Sequence, residues 1–463
     1  MSGDKKTRAV ETKAPKDEQL DYQESWVSRW LPAAKRKYGM FLAVVCVTAL
    51  ASATLFSFAG MTQQGVRLRN FDNEEGMHVD DSQEESMAAI KKAFEESGND
   101  EQNAPSKYSA SPSVNLLCRF SPRYRAGIYP YGVCSHFIYA SVPSPPGPNA
   151  PTDKEVLYNY DPGAFKKFLH VRETAGDVRL LLSVELKAML HTGWSPQKLA
   201  SDARVWLDRS GVDGLHLAGL DLLPRNVENV TDIITALRES FKRQYLITIG
   251  IDRTQKTVES DLLKILKLVD FASFKTSYVR HTDERTTLTN PYSKYDNSTS
   301  AQFLNREIDK LAQLAARSPK SHLCFTLTLG GNQFQLRDAA QHGLGAAAKH
   351  VRDASYGEIC KRQWNEVKYI EPAIGYYARS GMTWVGYDTE KTIAAKVRLA
   401  LRKHPGLCVM LVQVDKDDIR GICSEKHFPL VQSVRHAMRI YHRAPAAQQG
   451  KVGRPSATRS GGE

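Results

Sequence analysis

From about Val114 to Tyr441 the chain alternates short apolar runs with amphipathic stretches. The apolar runs are Asn115–Phe120, His136–Ala140, Val178–Glu185, Gly214–Leu217, Tyr245–Ile251, Phe271–Ser277, His322–Leu329 and Cys408–Gln413. Each has the length of a strand and most are bounded by turn residues. Between most pairs lie segments of helical periodicity: Pro162–Glu173, Ser195–Ser210, Val230–Phe241, Val258–Lys267, Ala301–Ala316 and Glu390–Lys403. In the last of these Ile393, Val397, Leu399 and Leu401 are interleaved with Lys and Arg, the pattern of a helix lying over a sheet. Strands alternating with helices in this way predict an α/β fold, a parallel (β/α)8 barrel. The interval between the seventh and eighth runs is too long for one helix and predicts a small α+β insertion over residues 335–384.

The pattern changes sharply outside these limits. Gly39–Gly60 is a charge-free apolar run long enough to cross a bilayer core. Arg29, Lys35, Arg36 and Lys37 precede it, and an acidic stretch with Glu74, Glu75, Asp80, Asp81, Glu84 and Glu85 follows. The positive-inside bias then places residues 1–38, a polar tail, in the cytoplasm and the remainder outside, as a type II signal anchor over 39–60. A cleaved signal peptide with a long basic leader is the competing expectation. Residues 61–113 are acidic and poor in aromatics, and read as a stalk with one short helix around Glu84–Glu96. Residues 442–463 are rich in Ala, Gln, Gly, Pro and Ser and read as a tail without fixed structure.

The formal net charge of +12 raises nucleic-acid binding. The basic residues are scattered, however, with no Arg/Lys stripe interleaved with aromatics, so no nucleic-acid partner is expected. Of seven cysteines, Cys46 falls in the apolar run and the other six lie downstream, an even number that suits disulfides outside the cytosol. The sequons at Asn229 and Asn297 agree with that sidedness. His136, His216, His281 and His322 have no close metal-ligand spacing, so neither a metal nor a cofactor is expected.

Asp213-Gly214-Leu215-His216-Leu217-Ala218-Gly219-Leu220 is similar to the fourth-strand motif Asp-Gly-x-Asp-x-Asp-Trp-Glu of glycoside hydrolase family 18 chitinases. Trp384-Val385-Gly386-Tyr387-Asp388 resembles a signature before the last helices, and Val409–Cys423 resembles the last strand and its Asp-Asp-Phe-x-Gly-x-Cys close. The resemblance implies the disulfides Cys118–Cys134 and Cys360–Cys423. Cys324 and Cys408, on neighbouring predicted strands, are either a third disulfide or small buried residues.

The departures carry the functional expectation. In this family a Glu protonates the leaving oxygen and an Asp two residues earlier orients the substrate's own N-acetyl group, outside the two-carboxylate scheme. Those positions are Leu220 and Ala218 here, and His216 and Gly219 replace the middle Asp and the Trp. General acid catalysis is typically worth about 10²–10⁴-fold, and leucine has no proton to give. Ser183-Val184-Glu185-Leu186 stands for Ser-x-Gly-Gly, Lys275-Thr276-Ser277-Tyr278 for Met-x-Tyr-Asp, and Val412 for the Trp that floors the sugar subsite. Only Asp213 and Gly214, the structural part of the motif, remain.

The expected protein is a catalytically inactive chitinase-like barrel on the extracellular or lumenal side, anchored or shed. It would bind a glycan (chitin or an N-acetylglucosamine oligosaccharide) or a protein. Glu185, Lys275, Tyr278 and Trp384 are the cleft candidates. Two alternatives stand beside this: a residual glycosidase with its acid re-sited, Glu185 first and Asp221 second, and an adhesive or structural surface scaffold.

Overall fold

The computed structural model describes residues 115–140, 161–186, 195–221, 227–253, 259–276, 284–295, 303–318 and 322–443, apart from 123 and 243. The run Gly39–Gly60, the acidic stalk, the N-terminal tail, residues 444–463 of the C-terminal tail, Tyr278, His281 and Asn297 lie outside these residues, while 442 and 443 belong to the last helix. Among the described residues no helix is long and apolar enough to cross a membrane.

Eight parallel strands close into a barrel: β1 (Leu116–Arg119), β2 (His136–Ala140), β3 (Arg179–Glu185), β4 (Gly214–Asp221), β5 (Leu246–Arg253), β6 (Phe271–Phe274), β7 (His322–Thr328) and, last in the ring, Cys408–Val412, which pairs with both β7 and β1. Helices α1 (Pro162–Leu169) and α2 (Val171–Ala175) follow β2. Then α3 (Pro196–Ser210), α4 (Val227–Phe241), α5 (Glu259–Leu266) and α6 (Leu304–Arg317) follow β3 to β6 in turn. The expected single helix over Pro162–Glu173 is broken at His170, which caps the first piece. α3 starts as its sequence dictates, with the Ser195 hydroxyl accepting from the Lys198 N–H and Pro196 at the first helical position.

Between β7 and the last barrel strand the chain builds a second sheet. Its strands are β8 (Gly331–Leu336), β9 (Ala348–Ala354), β10 (Glu366–Ile370), β11 (Gly375–Ser380) and β12 (Thr383–Tyr387), in the order β10-β11-β12-β8-β9, with α7 (Tyr356–Lys361) between β9 and β10. The sheet therefore runs past the expected 335–384 at both ends. A Cβ on Gly331 would lie 2.7 Å from Ile359 and 2.9 Å from the Gly386 carbonyl, so glycine lets β8 begin there. Helix α8 (Glu390–Lys403), strand β13 (Cys408–Val412) and helix α9 (Pro429–Arg443) complete the chain.

Two apolar layers follow from strand alternation. The main core lies between barrel and helices and includes Cys118, Phe137, Leu182, Leu217, Ile249 and Phe325. The lumen holds a smaller plug of Leu117, Ile138, Leu181, Phe271 and Met410. Disulfides join Cys118–Cys134, Cys360–Cys423 and Cys324–Cys408. The third links adjacent barrel strands at the level where Cys408 and Cys324 are register partners.

Candidate active site

The retained Asp213 and Gly214 sit at the N-terminal end of the barrel, away from the mouth. Asp213 accepts from the Leu180 N–H at 2.7 Å, and its own carbonyl takes the Leu246 N–H at 2.8 Å, stitching β3, β4 and β5 together. A Cβ on Gly214 would meet the Leu246 carbonyl oxygen at 2.1 Å, so only glycine allows the strands this close. These residues hold the fold, and barrel chemistry belongs at the opposite end.

Along β4 the side chains then alternate. His216 enters the lumen, where the Thr248 hydroxyl lies 2.8 Å from Nδ1. That hydroxyl donates to the Leu215 carbonyl, so its oxygen accepts from the imidazole Nδ1–H. Burial, with Arg119 nearby, holds His216 well below the usual histidine range.

The end of β4 is where the sequence expectation fell short. The strand continues past Leu217 to Asp221 through a β-bulge: Leu217 pairs with Ile249 and Leu220 with Ile251, so Ala218 and Gly219 together face one residue of β5. Gly219 has φ +71°, a conformation natural to glycine. The extra residue reverses the alternation. Leu220 shares the side of Ile251, both 2 % exposed, in the cluster that includes Ile234 and Leu237 of α4. The position aligned with the family acid therefore faces the helices.

Glu185 occupies the vacated mouth. At the end of β3 it is the register partner of Ala218, and its Oε2 lies 2.4 Å from where a Cβ on Gly219 would stand. Its other oxygen is 3.8 Å from an Arg119 Nη, and the two side chains are 30 % and 21 % exposed. Arg119 comes from the end of β1, so the pair spans the end of β2. Burial lowers the Arg119 pKa, and Glu185 and Asp252 oppose that shift. Among the described residues the buried Arg119 Nε has no hydrogen-bond partner. Arg119 was not among the sequence candidates. A cation at the C-terminal end of the first barrel strand, in Leu-Leu-Cys-Arg-Phe, was the signal available.

The other candidates separate. Lys275 is exposed just beyond β6, its N–H donating to the Ile251 carbonyl at 2.9 Å. With Asp252, Thr276, Glu259, Glu307 and Lys310 it lines a cavity of about 250 Å³ between α5 and α6. Trp384 is corrected as a cleft residue: it is 0 % exposed in the core of the second sheet, stacked on Tyr377 at 5.2 Å. β12 alternates, and Trp384 falls on the face that packs against Phe334 and Leu288. Asp388, which follows β12, is fully buried and accepts from Lys396 Nζ, from Thr392 Oγ1 at 2.8 Å and from Asn290 Nδ2 at 2.8 Å. Asn290 in turn clasps β7 through the Thr328 N–H and carbonyl. This network ties the second sheet to the barrel. Asn229 is exposed on the first turn of α4.

A closed parallel (β/α)8 barrel carries its chemistry at the C-terminal mouth, where Arg119 and Glu185 meet. Residues 112–417 match Glycosyl hydrolases family 18, and the chain belongs to that family. Human Chitinase-3-like protein 2 is 23 % identical over 342 residues, covering 66 % of this chain and 85 % of that protein. Probable chitinase 10 of Drosophila melanogaster is 24 % identical over 244 residues, but the chain spans only 10 % of its length. Among solved structures, the Group IV chitinase of Ostrinia furnacalis in complex with allosamidin superposes with a TM-score of 0.60 at 19 % identity, covering 71 % of this chain and 99 % of that one. Human YKL-39, described as a pseudo-chitinase with retained chitooligosaccharide binding properties, gives 0.56 at 18 % identity, covering 71 % and 100 %. At these identities the structural likeness speaks for the fold alone.

Proposed function

We propose that this chain is a non-catalytic chitinase-like protein that binds an N-acetylglucosamine oligosaccharide at the barrel mouth, on the extracellular or lumenal side of a membrane anchored through residues 39–60. The observation that carries the reading is Leu220 in the helix-facing core. A simple exchange of Glu for Leu removes a proton donor; here the backbone has also turned the position away from where a glycosidic oxygen would lie, and general acid catalysis requires hydrogen-bond reach. Arg119 and Glu185 supply paired donors and acceptors of the kind that recognise sugar hydroxyls. Human YKL-39, a pseudo-chitinase with retained chitooligosaccharide binding properties, is a precedent on this fold for that combination.

The test uses the glycosylated ectodomain, with a fluorogenic chitotriose substrate and calorimetric titration of chitohexaose across several pH values. No turnover with saturable binding that weakens in Glu185→Gln supports the reading. Turnover that survives repurification and vanishes in Glu185→Gln instead supports a glycosidase re-sited on Glu185, a reading favoured by that carboxylate lying directly over Gly219. Neither turnover nor glycan binding would favour a protein ligand or a scaffold.

A further inference from the structure

The second sheet ends in two edge strands, and the chain treats them differently. A strand at a sheet edge presents unpaired N–H and C=O groups, a template for a further strand unless it is covered, bulged or charged. β9, at one edge, is covered where it starts: the Ala348 N–H donates to the Glu284 carbonyl at 2.8 Å, and Arg285 bridges Ala347. It is also bulged. Gln333 and Phe334 of β8 pair with Arg352 and His350, which leaves Val351 between them, 52 % exposed.

β10, at the opposite edge, has neither device. It pairs with β11 in unbroken register from Glu366–Arg379 to Ile370–Gly375, and among the described residues no strand pairs with its outer side. Val367 is 53 % exposed there. Alternation puts Glu366 and Lys368 on one face of the sheet and Val367 on the other. The Glu366 carboxylate is fixed, accepting from the Tyr377 hydroxyl at 2.9 Å and from Arg379 Nε at 3.0 Å. Lys368 is exposed and makes no ion pair among the described residues.

These three residues are self-complementary. When two identical strands pair antiparallel about a twofold axis at Val367, residue 366 of each copy stands opposite residue 368 of the other. Glu366 then faces Lys368 twice, and the two Val367 side chains meet across the axis on the other face. Opposite charges directly across a strand pair stabilise it, and like charges weaken it. A lone lysine on an edge repels any strand that carries a cation opposite it; with Glu366 two positions before it, Lys368 selects this same sequence. We propose that β10 is a dimerisation edge: a second copy of this chain adds its own β10 antiparallel and joins the two five-stranded sheets into one. One short strand per copy makes a small contact, so the association is reversible and concentration-dependent.

Cysteine cross-linking of the full-length protein in detergent tests this, in a Cys46→Ser background because the other six cysteines are held in disulfides. Oxidation of Val367→Cys should give a disulfide-linked dimer, since a residue on the axis lies opposite its own copy. Val351→Cys, similarly exposed on the other edge, should give roughly tenfold less. Adding Lys368→Glu to Val367→Cys sets Glu366 against a second acid and should cut the yield about tenfold, with Lys368→Gln between the two. Sedimentation equilibrium of the wild type carries the test even if the cysteine variants fail to fold. Its mass should rise from monomer to dimer with concentration, and Lys368→Glu should raise the dissociation constant by about the same factor. A wild type that stays monomeric, equal cross-linking at 367 and 351, or a Lys368→Glu variant that dimerises as the wild type does would overturn the proposal.

Discussion

Restoring the family acid should break this protein. In Leu220→Glu the carboxyl enters a site where leucine is 2 % exposed, beside its register partner Ile251 in the main apolar core. Loss of the buried leucine removes about 1.5–3 kcal/mol. Burial raises the new carboxyl's pKa, and a rise of about three units adds roughly 4 kcal/mol at neutral pH. The sum, about 5–7 kcal/mol, is comparable with the whole stability of many domains. The ionisation part carries a pH signature. A carboxyl whose folded pKa is raised is penalised only where the unfolded chain would ionise it, so the deficit is smallest below about pH 4 and grows as pH rises through the folded pKa. Urea unfolding of wild type and Leu220→Glu at pH 5 and pH 7.5 measures both parts, and fluorogenic chitotriose hydrolysis by Ala218→Asp/Leu220→Glu measures the chemistry. Were residue 220 directed instead to the partly exposed mouth beside Glu185, the substitution would cost under about 1 kcal/mol, as exposed changes do. That result, or any gain of turnover, refutes the bulge argument.

Three other expectations concern the same framework. Gly219→Ala should lose about 1–2 kcal/mol to the left-handed backbone alone, and more from contact with Glu185, so urea midpoints should show Glu185→Gly relieving part of the loss; additive effects would show that the two do not touch. Burial holds the His136 imidazole down to about 4, against an ordinary value near 6.5. The folded state therefore disfavours the proton, stability is whole above pH 6.5, and about 3 kcal/mol is lost as pH falls from 6.5 toward 4; His136→Gln should flatten that slope in a pH series of denaturant midpoints. Lys396→Met should cost about 3–5 kcal/mol by leaving Asp388 charged and buried, and the double variant with Asp388→Asn should recover much of it, whereas strict additivity would argue against the pairing.

The barrel was legible because parallel strands buried on both faces read as continuous apolar runs. His136–Ala140 and Glu390–Lys403 match their elements residue for residue. The misses have local causes. Ala218-Gly219 looked like the end of β4 because glycine in a strand pattern signals a turn as readily as a bulge. His170 splits a helical pattern whose apolar positions continue through Phe168 and Val171. Glu185 could be named from its place at a strand end, whereas the ion pair with Arg119 joins residues far apart in sequence and appears only once the ring is closed. Trp384 lies in an alternating strand, and which of its two faces is inside depends on the second sheet's partners.

The residues that match the family motif and those that depart from it divide along the barrel axis. At the N-terminal end Asp213 still ties three strands and Gly214 still lets two backbones touch, because a larger residue there would force the strands apart. At the C-terminal end Gly219, Leu220 and Glu185 differ together from the family pattern, and each change depends on the others. Glycine permits the bulge, the bulge sends Leu220 into the core, and the missing Cβ leaves room for the Glu185 carboxylate. A single reversion meets either a buried charge or a steric clash. On the proposed non-catalytic reading, placing an acid at this position would therefore take several concerted changes rather than one.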